Sequence, residues 1–351
     1  MKILIIQQKM IGDVLTSSIL FEAIKSQYPQ YELHYLINSH TYPVVQHNPY
    51  IDKFIFYTPE IEQSKVALLK FAHTLRKEKY NVLIDVYSKL SSNLITLFSG
   101  AGTKISKYKP YTSLLYHHAI KYDKSSNPKQ GLAIINRLQL LMPLNISTEI
   151  NYSPKIYLTQ TEKEQTKAFL ESHQINIDKP LIMISILGSG LLKTYPFEYM
   201  AKVLDFIVEN KKQVQILFNY IPRQIDEAKT IYNLCEHSTQ KAIHFDVYGK
   251  NLREFLTITS FCNMLIGNEG GAVNMAKALK IPTFAIFSPW IDKATWNLFE
   301  NKSNMGVHLK DFKPELYTEP EKKYKKNASK YYQELTPELF YQDLKTFLSN
   351  N

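Results

Sequence analysis

The sequence predicts an α/β protein built from two doubly wound parallel-sheet domains. Three observations predict it. Short apolar runs alternate with amphipathic stretches along most of the chain, which is the pattern of strand–helix–strand units and parallel sheets. At 351 residues the chain is long for one core, which favours two domains. Glycine is scarce, at 11 residues, yet clusters directly after two of the apolar runs, where open α/β sheets bind ligands.

The elements follow in order. Lys2–Ile6 reads as a buried strand, broken by Gln7, Gln8 and Lys9, and not as a signal peptide. An amphipathic helix is expected from Val14 to Tyr28, stopped by Pro29, then strands at Glu32–Ile37 and Phe54–Tyr57. A long helix from Ile61 to Lys79, a strand at Val82–Val86 and a helix from Ser91 to Phe98 come next. The turn Gly100–Gly102 leads to a short strand at Lys104–Lys107, and Leu132–Leu141 is helical up to Pro143. Residues 145–154 are polar and aperiodic, so the boundary between a first domain, 1–150, and a second, 151–335, is placed there.

The second half repeats the alternation. Helices are expected at Glu162–Ser172, Phe197–Asn210 (with Pro196 at its start), Arg223–Glu236 and Leu252–Phe261. Strands are expected at Leu181–Ile186, Val214–Phe218, Ile243–Phe245, Met264–Ile266 and Thr283–Phe287. Residues 310–335 lack clear periodicity and read as a loop insertion. The last helix, Glu338–Leu348, is expected to pack back on the first domain as a separate segment, 336–351.

Composition narrows the function. The net charge of +10 calls for an anionic partner: nucleic acid, anionic lipid or a phosphorylated substrate. No zinc-finger spacing or RNA-binding aromatic signature occurs, so nucleic acid is not expected. Lysines concentrate in two places. Lys104, Lys107, Lys109, Lys121, Lys124 and Lys129 interleave with tyrosines and histidines, whereas Lys322, Lys323, Lys325, Lys326 and Lys330 read as a solvated surface. Cys235 and Cys262 show no metal-ligand spacing and fit reduced thiols in a cytoplasmic protein. No run approaches the ~20 apolar residues of a membrane span.

Three loops carry the chemistry. Gly267-Asn268-Glu269-Gly270-Gly271 stands between an apolar run and a helix whose stripe is Val273, Ala276 and Leu279. Glycines there let backbone N–H groups approach a phosphate, and the helix N-terminus favours its charge. Glu269 cannot bind phosphate, but it can accept hydrogen bonds from sugar or ribose hydroxyls, which suggests a nucleotide-sugar site; the plain alternative is a chain turn. Gly188-Ser189-Gly190, with Lys193 after it, follows another strand, and the lysine can neutralise a departing diphosphate; the spacing is not that of a P-loop. Gly12-Asp13 closes the first strand, where Asp13 is either a helix cap or a general base whose charged form the helix end favours.

These pieces together resemble glycosyltransferase family 9, the lipopolysaccharide heptosyltransferases. Ile11-Gly12-Asp13-Val14-Leu15 is similar to the family's G-D-V/I-L signature, and Lys193-Thr194-Tyr195-Pro196 to its K-x-W-P element. Gly249-Lys250-Asn251-Leu252-Arg253-Glu254 followed by Gly267–Gly271 resembles G-x-x-x-L-x-E and G-N-D-[ST]-G. The resemblance reaches to about residue 300. It implies a GT-B fold, two Rossmann-like domains facing a central cleft, with the acceptor bound mainly by the first and the nucleotide sugar by the second. It also implies inverting, metal-independent transfer with no cofactor. Asp13 takes the place of the general base and Lys193 that of the donor-phosphate lysine. Gly12, Ser189, Gly190, Glu269, Gly270, Gly271 and Asn274 fall in the donor-binding set. Lys104, Lys107 and Lys109 become candidates for the phosphates of an anionic glycolipid acceptor or for the inner leaflet of the cytoplasmic membrane, at ~1 kcal/mol each near an anionic surface. Arg223 is placed near the nucleotide.

Three positions depart from the family pattern: Glu269 for Asp, Gly270 for Ser or Thr, and Asn274 for His. They cluster where the donor would be chosen. An ADP-heptose-type donor is the first reading, with another sugar, a nucleotide-sugar-binding protein without activity, or a nucleotide-sugar epimerase as alternatives.

Overall fold

The computed structural model describes residues 1–123, 130–149, 151–319 and 321–351, leaving aside the side chains of residues 321 and 322. Lys124, Lys129 and the Lys322 side chain therefore lie outside the described residues. The chain forms two compact units, Met1–Tyr157 and Leu158–Asn351.

The first unit contains β1 (Lys2–Ile6), β2 (Glu32–Asn38), β3 (Lys53–Tyr57), β4 (Val82–Asp85), β5 (Thr103–Lys107) and β6 (His118–Ile120). Their order is β3-β2-β1-β4-β5-β6 and every pair is parallel, the Rossmann order. The second unit contains β7 (Leu181–Ser185), β8 (Gln215–Phe218), β9 (Met264–Asn268), β10 (Thr283–Ile286) and β11 (Asn304–Val307), ordered β11-β10-β9-β7-β8 and again all parallel. Helices cover both faces of such sheets, so the central strands are buried throughout and read as unbroken apolar runs. Strand order reverses between β1 and β4 in the first sheet and between β7 and β9 in the second. Those are the points where a crevice opens beyond the carboxyl ends.

Several expectations give way. The first helix is two, Ile11–Ser17 and Ile19–Gln27. The Thr16-Ser17-Ser18 run breaks it, because the Thr16 and Ser18 hydroxyls bond back to the carbonyls of Gly12 and Leu15, each at 2.7 Å. The Ile243–Phe245 strand reduces to one bridge between Ile216 and Ile243. β6, β11 and the helix His237–Ala242 carry patterns too short to read.

Residues 310–335 are not a loop insertion. They hold the helices Leu309–Phe312, Glu321–Lys326 and Ala328–Glu334. Their buried positions, Tyr324, Ala328 and Tyr332, recur every four residues, but tyrosines and an alanine among lysines do not look apolar. The last helix, Tyr341–Asn350, belongs to the second compact unit and is not a segment apart from it. Phe340, Leu344, Phe347 and Leu348 are buried in the second unit's own core, where Phe284 and Phe347 place their ring centroids 5.6 Å apart. Among the described residues no helix is long and apolar enough to cross a membrane.

Candidate active site

In the second unit the site is built on the turns after β7 and β9. Asn268, the last residue of β9, is fully buried. Its amide donates to the carbonyls of Ser185 and Ile186, at 2.9 and 3.0 Å, and its oxygen accepts from the Tyr195 N–H at 2.7 Å. One side chain thus fixes both ends of the loop that carries Lys193. Tyr195, the aromatic of the K-x-[W/Y]-P element, is buried too and donates to the Leu335 carbonyl at 2.5 Å, so its role is to anchor the loop.

Gly188 is required by close approach. A Cβ there would stand 2.1 Å from the Lys193 carbonyl oxygen, since the loop folds back over this residue. Gly270 is required by conformation, with φ at 147° and open space around the missing Cβ. It caps the helix Gly271–Ala278 without a side-chain bond, so no side chain of the cap residue satisfies the first-turn N–H groups.

Lys193 and Glu269 meet across these turns. The ammonium stands 3.3 Å from Glu269 Oε1, near enough for an ion pair but off the line of a hydrogen bond. Glu269 is only 8% exposed, and this oxygen has no hydrogen-bond donor among the described residues. A buried carboxylate oxygen in that state retains unused acceptor capacity. Ser189 and Gly190 lie exposed on the same loop, and Asn274 is half-buried on the first turn of the helix. Arg223 is exposed in the turn after β8; its neighbour Gln224, not Arg223 itself, reaches the loop, at 3.4 Å from the Gly188 carbonyl.

Sequence reasoning missed Trp290. Its indole N–H donates to the Leu192 carbonyl at 3.0 Å, and its ring lies 5.4 Å from the Lys193 ammonium and 4.9 Å from that of Lys325. One of only two tryptophans in the chain, just after an expected strand at the same sheet edge as the glycine turns, is the signal that could have found it. The Gly249–Glu254 element is held by its own hydrogen bonds and by an ion pair to Glu162. Glu254 accepts from Lys250 N–H and the Asn251 amide, at 2.8 and 2.6 Å, and Arg253 grips Glu162 through two bonds of 2.7 and 2.6 Å, which hold that carboxylate down to about 2.

In the first unit Asp13 sits in the first turn of Ile11–Ser17 but does not cap it. Its Oδ1 accepts from Arg137 Nη2 at 2.5 Å. Arg137 is buried on the helix Leu132–Leu138 and also donates to Ser17 Oγ and the Ala133 carbonyl, at 2.9 and 2.8 Å. An arginine on an otherwise apolar helix face was the available hint. Gly12 lies beside Asp13 in this unit, whereas the other residues of its donor-binding set are in the second.

The three candidate lysines have different settings. Lys107 ends β5 at the carboxyl edge. Burial pushes its ammonium down to about 8, Lys109 and Arg137 push the same way, and Asp85 and Asp13 oppose them. Lys109 donates to the Ser88 carbonyl and lies over the Tyr111 ring. Lys104 stands three residues back, ~10 Å along the strand and on the other face, where its backbone N–H bonds His117. Asp85, at the end of β4, is fully buried; burial raises its carboxyl, while the Ser88 N–H and the Tyr116 hydroxyl, both at 2.7 Å, oppose that.

A family model described as glycosyltransferase family 9 (heptosyltransferase) matches residues 68–325. The chain belongs to glycosyltransferase family 9. It is a glycosyltransferase of α/β, GT-B fold. Lipopolysaccharide heptosyltransferase 1 of Campylobacter coli is 22% identical over 296 residues, 82% of this chain and 84% of that one. The glycosyl transferase family 9 structure from Veillonella parvula superposes with a TM-score of 0.83 at 16% identity, covering 100% of this chain and 98% of that one. The ADP-heptose lps heptosyltransferase II of Escherichia coli superposes with a TM-score of 0.72 at 16% identity, covering 100% and 99%.

Proposed function

We propose that this family 9 enzyme transfers a sugar, with inversion, from a nucleotide-sugar donor of ADP-heptose type to a lipopolysaccharide-core or other lipid-linked anionic acceptor at the cytoplasmic face of the membrane. The observation that carries the donor half is the meeting of Lys193, the donor-free oxygen of Glu269 and an uncapped helix N-terminus in one place. The names of the relatives support the choice of ADP, heptose and lipopolysaccharide.

In this reading the diphosphate rests on the first-turn N–H groups after Gly270, and the Lys193 ammonium neutralises the charge that builds on it as the glycosidic bond breaks. Glu269 Oε1 accepts from a hydroxyl of the donor sugar or ribose. Arg137 occupies Asp13 Oδ1 and sets the carboxylate's direction, so Oδ2 is the atom given to the acceptor hydroxyl. That hydroxyl oxygen attacks the anomeric carbon, its proton passes to Asp13, and the bonding pair leaves with the diphosphate. Lys107 and Lys109 attract the anionic acceptor or the inner leaflet. The longer Glu269 and the missing hydroxyl at Gly270 are where a changed donor sugar would register.

Calorimetry with ADP, UDP and GDP, on wild type and Lys193→Ala, tests the donor half. The expected result is selective ADP binding that the substitution weakens about tenfold or more, as for a lost hydrogen bond to a charged group. Preference for UDP or GDP discards the ADP-heptose donor. Binding of none discards the donor site.

A further inference from the structure

We propose that Lys325, on the helix Glu321–Lys326, is a second cation of the donor diphosphate site, held there on the face of Trp290. The inference rests on the reading of Lys193 as the donor-phosphate lysine. Two ammonium groups from segments more than 100 residues apart converge on one indole ring, within 5.4 and 4.9 Å of its centroid. Like charges repel, and Glu269 is the one carboxylate in contact with either of them among the described residues. Lys325 itself has no ion-pair partner there, in contrast to its neighbour Lys323, whose ammonium bonds Glu319 at 2.9 Å. The lysine-rich stretch that reads as a solvated surface thus sends one member to the loop that holds Lys193.

The placement is enforced by packing. Tyr324 is buried and accepts from the Glu319 N–H at 2.5 Å. Its ring packs at a tilt against Tyr317, centroids 4.8 Å apart, and the Tyr317 hydroxyl donates to the Pro289 carbonyl at 3.0 Å, one residue before Trp290. The helix is therefore tied to the loop on which the indole sits, and the indole is tied to Leu192. An aromatic face attracts a cation without neutralising it, so both ammonium groups keep their charge for an anion that spans them. A diphosphate carries two separated anionic groups, which two separated lysines suit better than one. Gly270 offers no side-chain hydroxyl to the phosphates, and Lys325 supplies what that turn lacks.

Titration with inorganic pyrophosphate, ADP and adenosine tests this, using wild type, Lys193→Ala, Lys325→Gln, Lys325→Arg and Trp290→Leu. Trp290 fluorescence, isolated by Trp296→Phe, reports pyrophosphate arrival directly, because ligand draws both ammonium groups off the ring. The expected result is a tenfold or greater loss of pyrophosphate and ADP binding in Lys325→Gln, near-complete retention in Lys325→Arg, an intermediate loss in Trp290→Leu and unchanged adenosine binding. If Lys193→Ala weakens pyrophosphate and Lys325→Gln does not, the second cation is wrong and the donor site stands. If neither substitution matters, or wild type binds no pyrophosphate, the underlying donor reading falls with it. Equal loss of adenosine binding in Lys325→Gln would mark a structural role and overturn the proposal. Because Lys325 is exposed, its replacement leaves the fold intact.

Discussion

The two switch points of the two sheets are built on opposite plans. In the second unit the site is mostly backbone: a buried asparagine, one glycine set by close approach and one by its positive φ, and a helix end without a side-chain cap. Charge enters as a few side chains laid over that frame. In the first unit the site is mostly charge: Asp13 on Arg137, Lys107 in the field of Asp85 and Asp13, Lys109 on a carbonyl. A backbone site recognises a shape common to many nucleotides, whereas a charged site can change its partner by one substitution. Donor class should therefore be stable to mutation of surface residues, and acceptor choice sensitive to it.

The largest expected effect breaks the comparison at Asp13. Asp13→Ala should lower kcat by about 10²–10⁴, the range for a lost general base, while leaving ADP binding nearly unchanged. Full turnover by that variant, measured with any acceptor the wild type uses, would remove Asp13 from the chemistry. Next comes the frame. In Gly188→Ala the new methyl would stand 2.1 Å from the Lys193 carbonyl, so the loop must move. ADP affinity should fall at least tenfold with acceptor KM unchanged; calorimetry showing wild-type affinity would mean the loop's path is not what positions Lys193.

The smallest effects sharpen the contrast within the first unit. Lys107 titrates near 8, so its positive charge is lost as pH rises from 7 to 9 and attraction for an anionic acceptor falls with it. Acceptor KM should climb severalfold over that window in wild type and stay flat in Lys107→Met. The linkage to stability has the opposite sign. Its folded value lies below that of the unfolded chain, so the cost of burying the charge is present below about pH 8. That cost is relieved as pH rises from about 8 toward the unfolded value. Urea denaturation of the same pair, followed from pH 7 to pH 10, checks that direction. Lys104→Ala, at the far end of the strand, should change acceptor KM by less than about twofold, within the usual range for an exposed ion contact.

What the sequence revealed follows the same divide. Asp13, Lys193 and Glu269 were legible because each lies within a few residues of the glycine that shapes its turn. Arg137, Trp290 and Lys325 were not, because their meaning comes from partners in other elements: Asp13 lies 124 residues from Arg137, Leu192 lies 98 from Trp290, and Trp290 lies on a different loop from Lys325. The strands at sheet centres were legible from their unbroken apolar runs, and the edge strands β6 and β11 were too short to show one. The segment around Tyr324, Ala328 and Tyr332 hid its period because tyrosine hydroxyls and flanking lysines disguise a buried stripe. Lys104, Lys107 and Lys109 read as one patch because adjacency in sequence conceals that a strand sends alternate residues to opposite faces.

Asn268 leaves a thermodynamic mark on substrate capture. Its three bonds hold the loop between Ser185 and Tyr195 in one path before any ligand arrives. Ordering a loop on association normally consumes part of the interaction free energy. Here the ends of the loop are already fixed in the folded chain, so in the proposed donor reading an arriving nucleotide would meet a framework ordered in advance, and the entropy lost on binding would be mainly its own.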